Sequence, residues 1–174
     1  SVVKVTITRG LGGSGYSPPA KPAPNRIVAR RSLPADYADR EKTGIRVCVA
    51  EHRLSMNVKL AGLKHLNRLD QVLASAEMVE RGVHEALMRD IDDHIVEATR
   101  CKLFVVSGNK LITPSLESCG VRGVMRTVVM QLARAADLVP AEAKLTLDDV
   151  QDAEEVFLCN AIAGIWPVVA IEHG

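Results

Sequence analysis

Aromatic residues are scarce in this chain: they make up 3% of its 174 residues, with two Phe, two Tyr and one Trp. Its interior must therefore be built from Val, Leu, Ile, Ala and Met. An excess of one charge is also lacking. The formal net charge is +1, which gives no reason to expect nucleic acid or an anionic membrane surface as a partner. Long apolar runs are absent as well, since stretches such as Cys159–Val169 are too short and too interrupted to span a bilayer. The four cysteines, Cys48, Cys101, Cys119 and Cys159, are far apart and show no C-x-x-C spacing. They are expected to be reduced, mostly buried thiols of a cytoplasmic protein rather than a disulfide framework or zinc site. No secretory leader pattern opens the chain. The first residues, Ser1-Val2-Val3-Lys4-Val5-Thr6-Ile7-Thr8, read as a strand and lack Met, so a fragment of a longer protein is expected.

What is present suits a globular domain with room for part of a second: 47% of residues are hydrophobic and 25% charged. Strands are expected at Val2–Thr8, Arg26–Arg30, Gly44–Val49, Glu85–Met88, Ile95–Ala98, Leu103–Val106, Leu111–Thr113, Glu155–Cys159 and Ile165–Ile171. Apolar residues recur with the helical period over Lys64–Arg81 and Val124–Leu138, and Gly82 follows the first of these as a C-terminal cap. A short helix over Thr146–Ala153 would use Thr146 as its N-cap. Residues 33–43 read as a linker or short exposed helix, with a domain boundary just before residue 44. Strands and helices without regular βαβ alternation indicate an α+β or mixed, barrel-like domain.

Gly10-Leu11-Gly12-Gly13-Ser14-Gly15 is a literal G-x-G-x-x-G after a strand. A dinucleotide site also needs a helix opening at the third glycine, and Tyr16-Ser17-Pro18-Pro19 cannot form one, so a loop is expected instead. His84, Asp90, Asp92, Asp93 and His94 cluster in sequence, but a solvated turn explains them and no ligand spacing is met, so no metal is expected. Gly120-Val121-Arg122-Gly123-Val124-Met125-Arg126 reads either as a tight turn before a helix or as an anion site made by free N–H groups at a helix start. Cys159-Asn160-Ala161, followed by Gly164, could add a second set of N–H donors. Lys64 and Glu97 each have an ordinary reading as solvated side chains. Taken together, a desolvated lysine could form a Schiff base with an aldehyde cofactor, an acid could hold a pyridine nitrogen, and a glycine–helix turn could take a phosphate.

Lys64-His65-Leu66-Asn67-Arg68-Leu69, Val96-Glu97-Ala98, Gly120–Arg126 and Phe157-Leu158-Cys159-Asn160-Ala161 stand in the order found in fold-type IV pyridoxal-phosphate enzymes, which the chain resembles. That group includes branched-chain and D-amino-acid aminotransferases. The K-H-L-N-R and F-L-C-N forms, with Ile165-Trp166-Pro167-Val168 after them, are most similar to the bacterial aminodeoxychorismate lyases. The resemblance implies pyridoxal 5'-phosphate as cofactor and Lys64 as its Schiff-base lysine and general acid/base. Glu97 would bind the pyridine nitrogen, and Gly123, Val124, Met125, Asn160 and Ala161 would hold the phosphate. The implied reaction converts 4-amino-4-deoxychorismate to 4-aminobenzoate and pyruvate, a step toward folate, in a cytoplasmic homodimer. The implied domains are residues 1–32 as the remnant of a small N-terminal domain, 33–43 as a linker and 44–174 as the large cofactor domain. Most of the small domain and a C-terminal helical tail would be absent. The chain departs from its resemblance at Ser14, where relatives usually carry Arg, and at Lys102, where they carry Asn before Leu-Phe. An aminotransferase of the same fold type and a silent fragment are the other readings.

Overall fold

The computed structural model describes residues 1–172, and contacts divide the chain into two units, Ser1–Tyr37 and the remainder from Ala38. In the first unit, β1 (Val2–Thr8) and β2 (Asn25–Arg31) pair antiparallel in continuous register from Val2 opposite Arg31 to Thr8 opposite Asn25. The glycine-rich connection contains no helix, so the dinucleotide reading fails on structure as it does on sequence. Gly10 turns the chain with φ +90°, and a Cβ there would lie 1.9 Å from the carbonyl oxygen of Ala23, so only glycine fits.

The second unit is an α+β domain. The helix α1 (Tyr37–Thr43) buries no residue and leads through Gly44 into β3 (Ile45–Val49). There follow α2 (Leu69–Glu80), β4 (Glu85–Arg89), β5 (Ile95–Ala98), β6 (Lys102–Ser107) and β7 (Lys110–Pro114). Then come α3 (Val124–Leu132), β8 (Val139–Ala143), α4 (Leu147–Gln151), β9 (Glu155–Asn160) and β10 (Gly164–Glu172). The eight strands form one mixed sheet in the order β5-β4-β3-β10-β9-β6-β7-β8. Its two ends approach each other, because the N–H of Ile95 on β5 donates to the carbonyl of Leu145, just past β8, at 2.7 Å. The sheet is thereby rolled toward a barrel, with fewer unpaired edges to cover.

Two apolar clusters fix the helices. Under α2 lie Cys48, Ala50, Leu54, Ala74, Ala86, Met88 and Val96, with Met78 packed against them. Under α3 lie Phe104, Leu111, Val129 and Cys159, with Met125 and Phe157 alongside, and the two phenyl rings stack with centroids 5.1 Å apart. Both phenylalanines of the chain are thus placed under this one helix. All four cysteines are free and buried.

Three expectations need correction. The helical period read from Lys64 does not begin a helix until Leu69. Arg68 folds back and donates from Nε to the carbonyl of His65 (2.9 Å) and from NH2 to that of Leu63 (2.8 Å), so those carbonyls bond a guanidinium in place of helical N–H groups. The helix read to Leu138 is α-helical only to Leu132 and finishes in a 3-10 turn at Ala133–Ala136, stopped by Asp137 in the left-handed region at φ 57°. Finally, β8 was not expected, and it carries Pro140, which lacks an N–H. It is tolerated because β8 stands last in the sheet and pairs only with β7 as a parallel strand. The expected hairpin at Asp90–His94 is formed, and the Asp90 carboxylate accepts from the N–H groups of Asp92 and His94, both at 2.9 Å.

Candidate active site

Strand β5 is buried along its whole length, and Glu97 is carried inside with it at 1% exposure. A buried carboxylate is costly unless donors surround it. Here Oε2 accepts from the N–H of Val121 (2.8 Å) and pairs with the ammonium of Lys102, while Oε1 accepts from Nε2 of Gln71 on α2 (3.2 Å). Val121 is held in place by a short bridge to the segment before Lys64. The Gly62 N–H donates to Gly120 (3.0 Å), and the Arg122 N–H donates to Gly62 (2.9 Å). Gly120 has φ +83°, and a Cβ there would lie 2.7 Å from Leu116 and 2.9 Å from Val96, which leaves glycine as the residue that fits. The same bridge therefore positions the donor to Glu97 and fixes the chain two residues from Lys64. Arg68 completes this by binding the carbonyls on either side of Lys64.

The opposite wall is made by α3 and the turn between β9 and β10. Gly123 is the N-cap of α3, and no side chain caps that end. The first N–H groups of a helix have no acceptor within it, and the helix dipole adds positive potential there, so this end suits an anion. Asn160 shapes the neighbouring turn. Its Oδ1 accepts from the N–H groups of Ile162 (2.8 Å) and Ala163 (2.7 Å), and its Nδ2 donates to the sulfur of Cys101 (3.1 Å).

These walls enclose a cavity of about 180 Å³. All seven residues singled out from the sequence line it: Lys64, Glu97, Gly123, Val124, Met125, Asn160 and Ala161. Lys64 stands at the exposed side and Glu97 at the buried one. Arg68, Gln71, Thr99, Arg100, Lys102 and Val121 also line it and were given no role from sequence. Of these, Arg68 carried a signal as the last residue of K-H-L-N-R, Lys102 as a departure from the family pattern, and Val121 as part of the Gly120–Arg126 segment. Gln71 and Val121 act through a side-chain amide and a backbone N–H that no residue pattern advertises. Four of the lining side chains are cationic (Lys64, Arg68, Arg100 and Lys102) against the single carboxylate of Glu97, so the cavity favours an anionic occupant.

The thiols beneath the site are inert at neutral pH. Burial pushes Cys159 up to about 11, against the lowering effect of Lys102 and Arg126, and burial reinforced by Glu85 pushes Cys101 higher still. The residues present fit pyridoxal phosphate. A primary amine, a buried carboxylate and an uncapped helix start face one cavity, which matches the aldehyde, ring nitrogen and phosphate of that cofactor. The one discordant feature is the ammonium of Lys102 already seated on Glu97.

The chain matches the family described as amino-transferase class IV over residues 1–171. It is 38% identical to an aminodeoxychorismate lyase of Vibrio harveyi over 97% of its own length and 62% of that protein's. A 4-amino-4-deoxychorismate lyase from Pseudomonas aeruginosa superposes with TM-score 0.93 at 40% identity, covering 98% of this chain and 63% of that one. A branched-chain amino acid aminotransferase from Thermobaculum terrenum, solved in its PLP form, superposes with TM-score 0.78 at 26% identity over 92% of this chain and 52% of that one. The chain thus spans about three-fifths of the length of the lyases it matches. With its rolled mixed sheet and its match over nearly every residue, the chain belongs to the class IV aminotransferase family, whose members are pyridoxal-phosphate enzymes of fold type IV.

Proposed function

We propose that this chain is the cofactor domain of a lyase that converts 4-amino-4-deoxychorismate to 4-aminobenzoate and pyruvate, in the path toward folate. The observation that carries the reading is the meeting of Lys64, Glu97 and the start of α3 on one cavity, in a chain 38% identical to an aminodeoxychorismate lyase. On this reading residues 44–174 form the cofactor domain, and residues 1–32 belong to a smaller one joined through 33–43.

Pyridoxal phosphate, when bound, supplies an aldehyde that captures the substrate amine and a ring that accepts electrons. Lys64 would hold the cofactor through its side-chain amine, and that amine, once the substrate has taken its place, would serve as base and acid. It takes the proton from the ring carbon bearing the nitrogen, and the enolpyruvyl oxygen departs from the adjacent carbon. Atoms balance without water or an oxidant, because 4-aminobenzoate and pyruvate together are isomeric with the substrate. Aromatisation of the carbocycle drives the step forward. Glu97 would hold the ring nitrogen, and the N–H groups of Val124 and Met125, with Asn160 and Ala161, would receive the phosphate.

The reading extends to a homodimer. On α2, Leu69, Val72 and Val79 are 63%, 60% and 71% exposed, an apolar stripe that a second copy could cover. Sedimentation equilibrium would return the monomer mass if that part is wrong. The four free thiols suit the reducing cytoplasm, and no described helix is long and apolar enough to cross a membrane.

The test is formation of fluorescent 4-aminobenzoate without any keto-acid acceptor, together with borohydride reduction and peptide mapping. The expected result is product from the wild type, none from Lys64→Ala, and reductive labelling confined to Lys64. Turnover that requires a keto acid would replace the lyase with an aminotransferase of the same fold type. Product from the Lys64→Ala protein would remove Lys64 from the chemistry.

A further inference from the structure

Resting on that cofactor reading, we infer that Lys102 is a built-in competitor for Glu97, so that the chain binds pyridoxal phosphate more weakly than its cavity would otherwise allow. Lys102 opens β6, five residues after Glu97, and its side chain is 9% exposed against 2% for that of Glu97. Its stem lies along Gly123, where a Cβ would come within 3.2 Å of Cγ and 3.4 Å of Cε, so the ammonium is guided inward rather than toward solvent. It reaches Oε2 of Glu97, the same oxygen that accepts from Val121.

A carboxylate offers about four acceptor sites. In Glu97 three are filled, by Lys102, Val121 and Gln71, and two of those partners are neutral. The charge of Glu97 is therefore already balanced by Lys102. A protonated pyridine nitrogen would be a second cation on one carboxylate, with an ammonium beside it and three further cations lining the cavity. Either the ring nitrogen gives up its proton, which weakens the ring as an electron acceptor, or Lys102 must swing away from its partner. Both routes cost affinity. A neutral side chain at position 102 removes the competitor, and in the cofactor-free protein it also leaves Glu97 buried without its counter-ion. The cofactor then gains by relieving that cost.

The experiment is an equilibrium titration of cofactor-free protein with pyridoxal 5'-phosphate, followed by visible absorbance and by thermal melting. It uses the wild type, Lys102→Asn, Lys102→Met, Glu97→Gln and the Lys102→Met/Glu97→Gln pair. Both single changes at Lys102 are expected to tighten binding by roughly tenfold or more, the scale of one charged hydrogen bond. Lys102→Met should melt lower than wild type without cofactor and gain more from its addition. In the Glu97→Gln background the benefit of Lys102→Met should vanish, because no carboxylate remains to compete for. Should Lys102→Met fail to fold, Lys102→Asn, which still offers Glu97 a donor, decides the matter alone. A folded variant that binds no more tightly than wild type, while the wild type still labels at Lys64, overturns the role of Lys102 and leaves the cofactor assignment standing. Folded wild type and variants that all lack an absorbance band overturn the cofactor assignment and this inference with it.

Discussion

Glu85 and Glu97 stand on neighbouring strands, both within the core and both paired with a cation, yet their surroundings differ in kind. Glu85 is held by a single turn. Thr99 donates through Oγ1 (2.6 Å), and Arg100 donates through its N–H (3.2 Å) and its Nε (2.6 Å). Arg100 also bonds the carbonyl of His84, so the pair ties the start of β4 to the turn after β5. Glu97 instead draws donors from α2, from β6 and from the segment before α3, three elements that meet around the cavity. Buried charge is therefore no mark of function by itself. Thr99 and Arg100 reach the cavity too, so what separates the two is that Glu97 itself lines the cavity, with donors converging from three elements, whereas Glu85 lies behind one turn.

The difference is sharpest in mutation. Glu85→Gln should cost about 3 kcal/mol of stability, the low end for breaking a buried ion pair, because Arg100 is 46% exposed and can turn to water. Folded Glu85→Gln should keep the catalytic rate of the wild type. Glu97→Gln should also lose stability, because it leaves the Lys102 ammonium, with its side chain 9% exposed, without its partner; in the folded protein the visible cofactor band still forms, but turnover falls roughly a hundredfold, equivalent to about 2.7 kcal/mol of transition-state stabilisation. Urea titration and steady-state kinetics on both proteins check this. Equal rates in the two variants would collapse the distinction.

Gly120→Ala probes the link between Glu97 and Lys64. The positive φ and the contacts at 2.7 and 2.9 Å require the backbone to shift, at about 1–3 kcal/mol. The shift moves the Val121 N–H away from Glu97 and leaves Glu85 untouched. Weaker cofactor binding is expected on top of the stability loss. Unaltered affinity in the folded variant would show that the bridge at Gly62 does not position the site.

How much of this was legible in the residues follows the range of the forces involved. Elements set by local pattern were readable, such as the apolar runs of β4 and β5 and the Thr146 cap, whose hydroxyl accepts from Asp149 while Asp149 accepts from the Thr146 N–H. The segment at Lys64 was misread as helix because Arg68, four residues later, captures its carbonyls, a choice that periodicity does not encode. The burial of Glu85 was invisible, since its donors lie 14 and 15 residues away and a lone charge in an apolar strand reads as exposed. Glu97 could be singled out through a family resemblance, whereas the bonds to it from the Gln71 amide and the Val121 N–H could not be read from the residues.

The smallest expected effect concerns the thiols, which feel both carboxylates. Burial, then the charge of Glu85, raises Cys101, whereas Cys119 is pushed up to about 12 by burial, then Asp90, with Glu97 third. The ordinary thiol value is 9.0, so below that pH both folded and unfolded chains keep these protons and no stability depends on them. Above it the unfolded chain ionises while the folded one does not. The native state then binds more protons, and the free energy of unfolding falls as pH rises through about 11 and 12, the folded values of Cys159 and Cys119. The charge of Glu97 helps to raise Cys119, so removing it lowers the pH at which the folded thiol ionises. The urea midpoint followed above pH 9 should therefore stop declining at a slightly lower pH in Glu97→Gln than in Glu85→Gln, where Cys119 keeps that neighbour. The same course in both variants would mean that the charge of Glu97 does not reach Cys119, and that the two carboxylates differ in partners but not in reach.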